Sequence, residues 1–238
     1  MPPRQPGSNS NAGPNAGPHE NTGLTSARVR ERMVQRVREL GVRDPRVLAA
    51  LAAVPRHRFV DAALASRAYD DCALPLGFGQ TISQPYIVAR SAELALAALT
   101  TPRTARILEI GTGCGYAAAV FAQLFGEVFS VERVRALHER ARANLRPMRL
   151  ATVRLVFGDG ACGHAADAPY DAIIAAAAGA EIPASWGEQL APGGVVVAPL
   201  GEENQHLSVL SKDAQGRWNC RRVEPVRFVP LIGGVNAA

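Results

Sequence analysis

Three acidic residues stand where an open sheet of alternating strands and helices would present them to a ligand. Glu109 lies two positions before the run Gly111-Thr112-Gly113-Cys114-Gly115. Glu132 closes the apolar run Val128-Phe129-Ser130-Val131. Asp159 sits between Gly158 and Gly160 after Arg154-Leu155-Val156-Phe157. Glycines allow sharp turns and close approach of a ligand to the backbone. A helix beginning just after the loop adds the partial positive end of its dipole. An acid about twenty positions beyond such a loop, at the end of the second strand, is placed to accept ribose hydroxyls. The carboxylate of Asp159 could accept the exocyclic amine of an adenine, with Gly160 letting the base lie against the backbone. Each acid also has a plainer reading. Glu109 could only orient the loop, Glu132 could pair with Arg133 or Arg135, and Gly-Asp-Gly is good chemistry for a turn.

The loop spacing is G-x-G-x-G, one residue short of the G-x-G-x-x-G of dinucleotide binders. That leaves less room for a pyrophosphate and suits S-adenosylmethionine, which carries an amino acid and a sulfonium instead. The candidate cofactor residues are Glu109, Gly111, Thr112, Gly113, Gly115, Glu132, Asp159 and Gly160.

The elements that must hold these residues follow from periodicity. Strands are expected at residues 105–110, 128–131, 153–157, 172–176, 195–198 and 207–210, with a last one at 223–229 pairing with the sixth. Helices are expected at 116–125, 134–145 and 185–190. Alternating strands and helices demand a mostly parallel, doubly wound sheet with helices on both faces. Ahead of it, Val29, Met33, Val37 and Leu40 recur at helical spacing after Thr25 or Ser26, and Gly41 closes the pattern. A short helix at 46–53 and an alanine-rich one at 87–99 complete an N-terminal helical cap. Between them, residues 70–86 are rich in Pro, Gly, Ser and Gln and read as an ordered surface loop. Such loops often carry function.

The chain thus divides into a Pro/Asn/Gly-rich tail (1–22), helices and a loop (23–100), and an α/β core (101–238). The tail has too little apolar surface to offset the entropy of ordering and is expected to be disordered. With 47% hydrophobic residues the remainder can bury a sizeable core. No apolar run approaches the ~20 residues that span a bilayer, and no hydrophobic segment follows a basic one near the N-terminus. The expected location is the cytoplasm, with no membrane partner. Four cysteines without a CxxC pair read as free thiols, and no metal is expected. The charge of +5 comes almost wholly from arginines spread along the chain and mixed with acids. That reads as a solvated surface, so no nucleic-acid partner is expected.

The segment GQTISQPYIVAR, residues 79–90, resembles the signature of protein-L-isoaspartate O-methyltransferases. VPRHRFVDAALASRAYDD before it is similar to the same family, as are LEIGTGCGYAAAVFA, VFSVER, FGDG, APYDAII, LAPGGVVVAPLG and VRFVPLIGG after it. The resemblance covers residues 24–235 in the expected order. It departs at Cys114, where serine is frequent, and at Ala176, where many members have threonine.

The resemblance implies a Rossmann-like class I methyltransferase, S-adenosylhomocysteine as product, and isoaspartyl proteins and peptides as substrates. It makes Ser83 the active-site serine, with Thr81, Ile82 and Gln84 in the same substrate loop. Ser83 has no obvious histidine partner in the sequence, so a serine-nucleophile mechanism is not expected. A carboxylate with an ordinary pKa near 3.9 is ionised at neutral pH and needs no base. His57, His138, His164 and His206 therefore read as structural or surface residues. The chain reads as a monomer. The alternatives weighed are an RNA or small-molecule methyltransferase and a non-catalytic S-adenosylmethionine-binding relative.

Overall fold

The computed structural model describes residues 26–213 and 215–237. The tail read at 1–22 lies outside the described residues. In chain order the elements are α1 (Ala27–Glu39), α2 (Pro45–Ala53), β1 (Leu74–Gly77), β2 (Gln80–Ile82), α3 (Pro85–Ala98), β3 (Arg106–Ile110), α4 (Tyr116–Phe121) and β4 (Glu127–Glu132). They continue with α5 (Arg135–Leu145), β5 (Val153–Phe157), β6 (Tyr170–Ala175), α6 (Ala184–Gln189), β7 (Leu190–Leu200), β8 (His206–Lys212) and β9 (Trp218–Pro225).

Seven strands form one sheet in the order β5-β4-β3-β6-β7-β8-β9, parallel from β5 to β7 and antiparallel thereafter. The central strands are covered on both faces, which is why Ile107-Leu108 and Val128-Phe129 read as continuous apolar runs. Ile107 faces the larger core with α1 to α5, while Leu108 and Ile110 face a smaller one around Trp186 of α6 and Tyr170. From β3 the chain winds outward through β4 and β5, then returns to β6 on the other side of β3. That reversal opens a crevice at the carboxyl ends of β3 and β6, where ligands of open α/β sheets bind. Among the described residues, no helix is long and apolar enough to cross a membrane.

Several boundaries differ from those expected. The last strand is Trp218–Pro225 rather than 223–229, because it forms an edge whose first five residues are exposed and carry no apolar alternation. Residues 122–125 leave the α4 helix in tight turns, with Gln123 N–H bonded to Val120 and Leu124 N–H to Phe121. The β7 strand starts earlier than 195 because Pro192-Gly193-Gly194 hides its entry. Inside the loop at 70–86, β1 and β2 pair as a short antiparallel hairpin.

Candidate active site

A cleft of about 460 Å³ opens where the sheet order reverses. That volume suits a cofactor-sized ligand, since such sites run from ~300 to 1,000 Å³. Its floor is the turn from β3 into α4. Gly111, Gly113 and Gly115 have φ of 93°, 56° and 89°, a region that side-chain-bearing residues avoid. Gly111 and Thr112 N–H both bond the Val131 carbonyl, which fastens the turn to the neighbouring strand. Gly111 and Gly113 line the cleft. Thr112 and Gly115 do not: Thr112 is buried and Gly115 begins α4 against Leu145.

Glu132 ends β4 and lines the cleft while only 5% exposed. Its Oε2 accepts from Gly113 N–H at 2.8 Å and its Oε1 from Val134 N–H at 2.9 Å. Burial raises its pKa, and these backbone donors oppose that rise. Each oxygen keeps a second lone pair, so the carboxylate can brace the glycine turn and still accept from a ligand. Neither Arg133 nor Arg135 makes an ion pair with it: Arg133 Nε donates to the Gly234 carbonyl and Arg135 stacks on Phe157.

Glu109 is placed otherwise. It shares a face of β3 with Ile107, is 1% exposed, and does not line the cleft. Its Oε2 accepts from the Ser130 hydroxyl, which in turn lies 2.6 Å from Thr112 Oγ1. This geometry fits the plainer reading, an acid that orients the loop through Ser130. Burial pushes its pKa up to about 8, from an ordinary 4.5. Between those values the folded chain holds a proton that the unfolded chain releases, so stability falls as pH rises through the window. The Glu109→Gln variant has no such proton. Its melting temperature should gain on that of the unmodified chain from pH 5 to pH 8. Parallel melting temperatures across that range would contradict the placement.

Another part of the wall is the loop expected to meet the substrate. Ser83 lies between β2 and α3 and lines the cleft with Thr81 and Gln84, while Ile82 is buried in the core. Proline at the first position of α3 fixes where the helix starts, and Asp71 accepts from Tyr86 N–H at 2.8 Å. Glu224, at the end of β9, accepts from Tyr86 Oη at 2.7 Å and Arg90 Nε at 3.2 Å. This ties the strap that follows to the substrate loop. Burial pushes the Tyr86 phenol up to about 12, and its bond to Glu224 adds to the rise.

That strap, residues 226–236, crosses the carboxyl edge of the sheet and roofs the cleft with Phe228, Leu231 and Ile232. Val229 and Leu231 bond Ala178, and Asn236 bonds Arg133 and Arg135. Asp159 accepts from Ala161 N–H at 2.8 Å and Gly234 N–H at 2.6 Å. It therefore anchors the strap and does not line the cleft, whereas Gly160 does. A Cβ at Gly160 would meet Ile110 Cγ2 at 2.6 Å, so the backbone passes too close for a side chain.

None of the four histidines among the described residues lines the cleft. His57 Nδ1 lies 2.7 Å from Tyr69 Oη, and His164 Nε2 lies 2.8 Å from Asp167. Cys114 is buried and burial pushes its thiol up to about 11, so it is not a reactive thiolate. Sequence reasoning missed Tyr86, Glu224 and Ser130. Only Ser130 carried a signal, as a hydroxyl inside an otherwise apolar strand.

The sequence profile of the protein-L-isoaspartate(D-aspartate) O-methyltransferase family matches residues 28–236. A Burkholderia thailandensis protein named protein-L-isoaspartate O-methyltransferase is 55% identical over 214 residues, covering 89% of this chain and 64% of its own length. A Bordetella avium protein of the same name is 54% identical over 219 residues, covering 91% of this chain and 81% of its own. The chain thus spans somewhat under two thirds of the first relative and four fifths of the second. A solved protein-L-isoaspartate O-methyltransferase superposes with a TM-score of 0.77 at 29% identity, over 87% of this chain and 67% of that one. A Plasmodium falciparum structure in complex with S-adenosyl-L-homocysteine superposes at 0.75 and 22% identity, over 85% and 98%, a likeness of fold.

Proposed function

The chain belongs to the protein-L-isoaspartate(D-aspartate) O-methyltransferase family, and from that premise we propose that it methylates the free α-carboxylate of isoaspartyl residues in damaged proteins, with S-adenosylmethionine as donor. One observation carries the reading. Ser83 and the Gly111, Gly113 and Glu132 set line a single cleft.

The donor set fits the cofactor. A buried carboxylate at the end of β4 suits ribose hydroxyls, and unobstructed glycine backbone suits close approach of a ligand. When bound, S-adenosylmethionine supplies an electrophilic methyl group on a sulfonium. Glu132 with the backbone at Gly111, Gly113 and Gly160 would hold it. The Ser83 hydroxyl donates a hydrogen bond to the substrate carboxylate and fixes its direction. The carboxylate is already ionised, so the site needs alignment rather than a base. Holding two reacting groups in line is worth up to roughly 7–11 kcal/mol. With cofactor and substrate in the cleft, the apolar side chains of the strap, Phe228, Leu231 and Ile232, would keep water from the reacting groups. By the family resemblance, the ester then closes to a succinimide, whose hydrolysis returns some normal aspartate.

An isoaspartyl residue diverts the main chain through its side chain, so a loop that grips extended backbone selects by shape and favours unfolded substrates. The cytoplasmic location and monomeric state read from the sequence belong to the same proposal. Methyl-labelled cofactor should put base-labile label on an aged protein, more on its unfolded form, and little on the fresh protein. Equal label on fresh and aged protein would overturn the reading.

A further inference from the structure

Beside the cleft lies an alcove of about 20 Å³, walled by Ser83, Ser91, Glu109, Ala117, Ala176 and Phe228 among others. Ser83, Ala176 and Phe228 also line the cleft, so the alcove adjoins the active-site serine. Three polar side chains in its walls have unused capacity. Glu109 gives Oε2 to Ser130, and its Oε1 is buried without a hydrogen-bond partner. Ser91, on α3, is 4% exposed. Among the described residues, neither its hydroxyl nor that of Ser83 makes a hydrogen bond within the protein.

Buried polar groups almost always have a partner, from protein or from ordered water. The wall of the alcove is mainly apolar, but a space of this size holds about one water molecule, and Ser83, Ser91 and Glu109 supply the two to four polar partners it needs. Ala176 keeps the space open, because its side chain ends at Cβ.

We propose that Glu109 Oε1 and Ser91 Oγ hold one buried water in this alcove, and that the water fixes the Ser83 hydroxyl. Glu109 and Ser91 are then positioning residues for Ser83. Glu109 is protonated below its raised pKa and donates from Oε1 to the water, which gives one hydrogen to Ser91 Oγ and the other to a Ser83 lone pair. The proton of Ser83 is left to point at the substrate carboxylate. The chain Thr112–Ser130–Glu109–water–Ser83 joins the cofactor turn to the substrate loop. The catalytic half of this inference rests on the methyl-transfer reading above, but the water does not.

Two measurements test it. A high-resolution crystal structure of the full chain should show one water within hydrogen-bond distance of Glu109 Oε1, Ser91 Oγ and Ser83 Oγ. An alcove without that water overturns the proposal, whatever the chain methylates. In the assay, Ser91→Ala should lower kcat on an isoaspartyl peptide about tenfold, within the usual range of coupling in one network. Its cofactor affinity and melting temperature should be unchanged. In a Ser83→Ala background, Ser91→Ala should cost nothing further. Full additivity, or a wild-type rate in the single variant, overturns the positioning role. Ala176→Thr serves as the second variant: its hydroxyl enters the alcove, should displace the water, and should restore rate to Ser91→Ala. A failure of that restoration would also count against the proposal. Unmodified protein that methylates no isoaspartyl peptide overturns the proposed function instead, while the crystallographic water still decides this inference.

Discussion

The Ser83→Ala variant should lose on the order of 10²-fold in kcat/KM on an isoaspartyl peptide, the usual cost of misplacing a reacting group. Its affinity for S-adenosylmethionine should stay as it is. The separation follows from the place of Ser83 in the 79–85 loop, which lines the same cleft as the Gly111–Gly113 turn and Glu132 but belongs to a different segment. The carboxylate loses charge as the ester forms, so a hydrogen bond to it stabilises the reactant at least as well as the transition state. Ser83 therefore contributes by direction, and removing it should lower kcat and raise KM together. Steady-state kinetics beside calorimetric titration of the cofactor would check this. An alanine variant with unchanged kcat/KM would remove Ser83 from the mechanism.

Glu132→Gln should weaken cofactor binding by about 10²-fold, since a hydrogen bond to a charged group is worth ~1.5–3 kcal/mol and each 1.4 kcal/mol is about tenfold. Glutamine nearly matches glutamate in shape, but it has one acceptor oxygen. Glu132 gives one oxygen to Gly113 N–H and the other to Val134 N–H. The amide NH₂ must therefore face one of those donors. The glycine turn loosens as the negative charge opposite a cationic cofactor disappears. The unliganded variant should also lose roughly 1–3 kcal/mol of stability, the cost of a buried donor left unpaired. Calorimetric titration and thermal unfolding would measure both. Binding within a few-fold of the unmodified chain would remove Glu132 from the cofactor site.

Much of this architecture was legible because local chemistry dictates it. The apolar runs at Ile107 and Val128 announce strands buried on both faces, and Gly111, Gly113 and Gly115 announce a turn that only glycine adopts easily. The three acids do stand at the ends of three adjacent strands, β3, β4 and β5. What each carboxylate faces was not legible. The pleat puts Glu109 on the side of Ile107, but only the packing of α3 and α4 shows that this side is closed. Asp159 is claimed by Gly234, 75 residues later, and no local pattern reports so distant a bond. The strap at 226–236 was hidden for the same reason, since its partners lie on other segments and it has no periodicity of its own. The hairpin β1–β2 is too short for alternation to stand out in a loop rich in proline and glycine.

The most direct measurement is transfer of labelled methyl from S-adenosylmethionine to a matched pair of peptides, one isoaspartyl and one aspartyl, otherwise identical. The predicted result is base-labile label on the isoaspartyl peptide alone, largely lost with Ser83→Ala. Equal label on both peptides, or none on either with cofactor binding intact, would contradict the assignment.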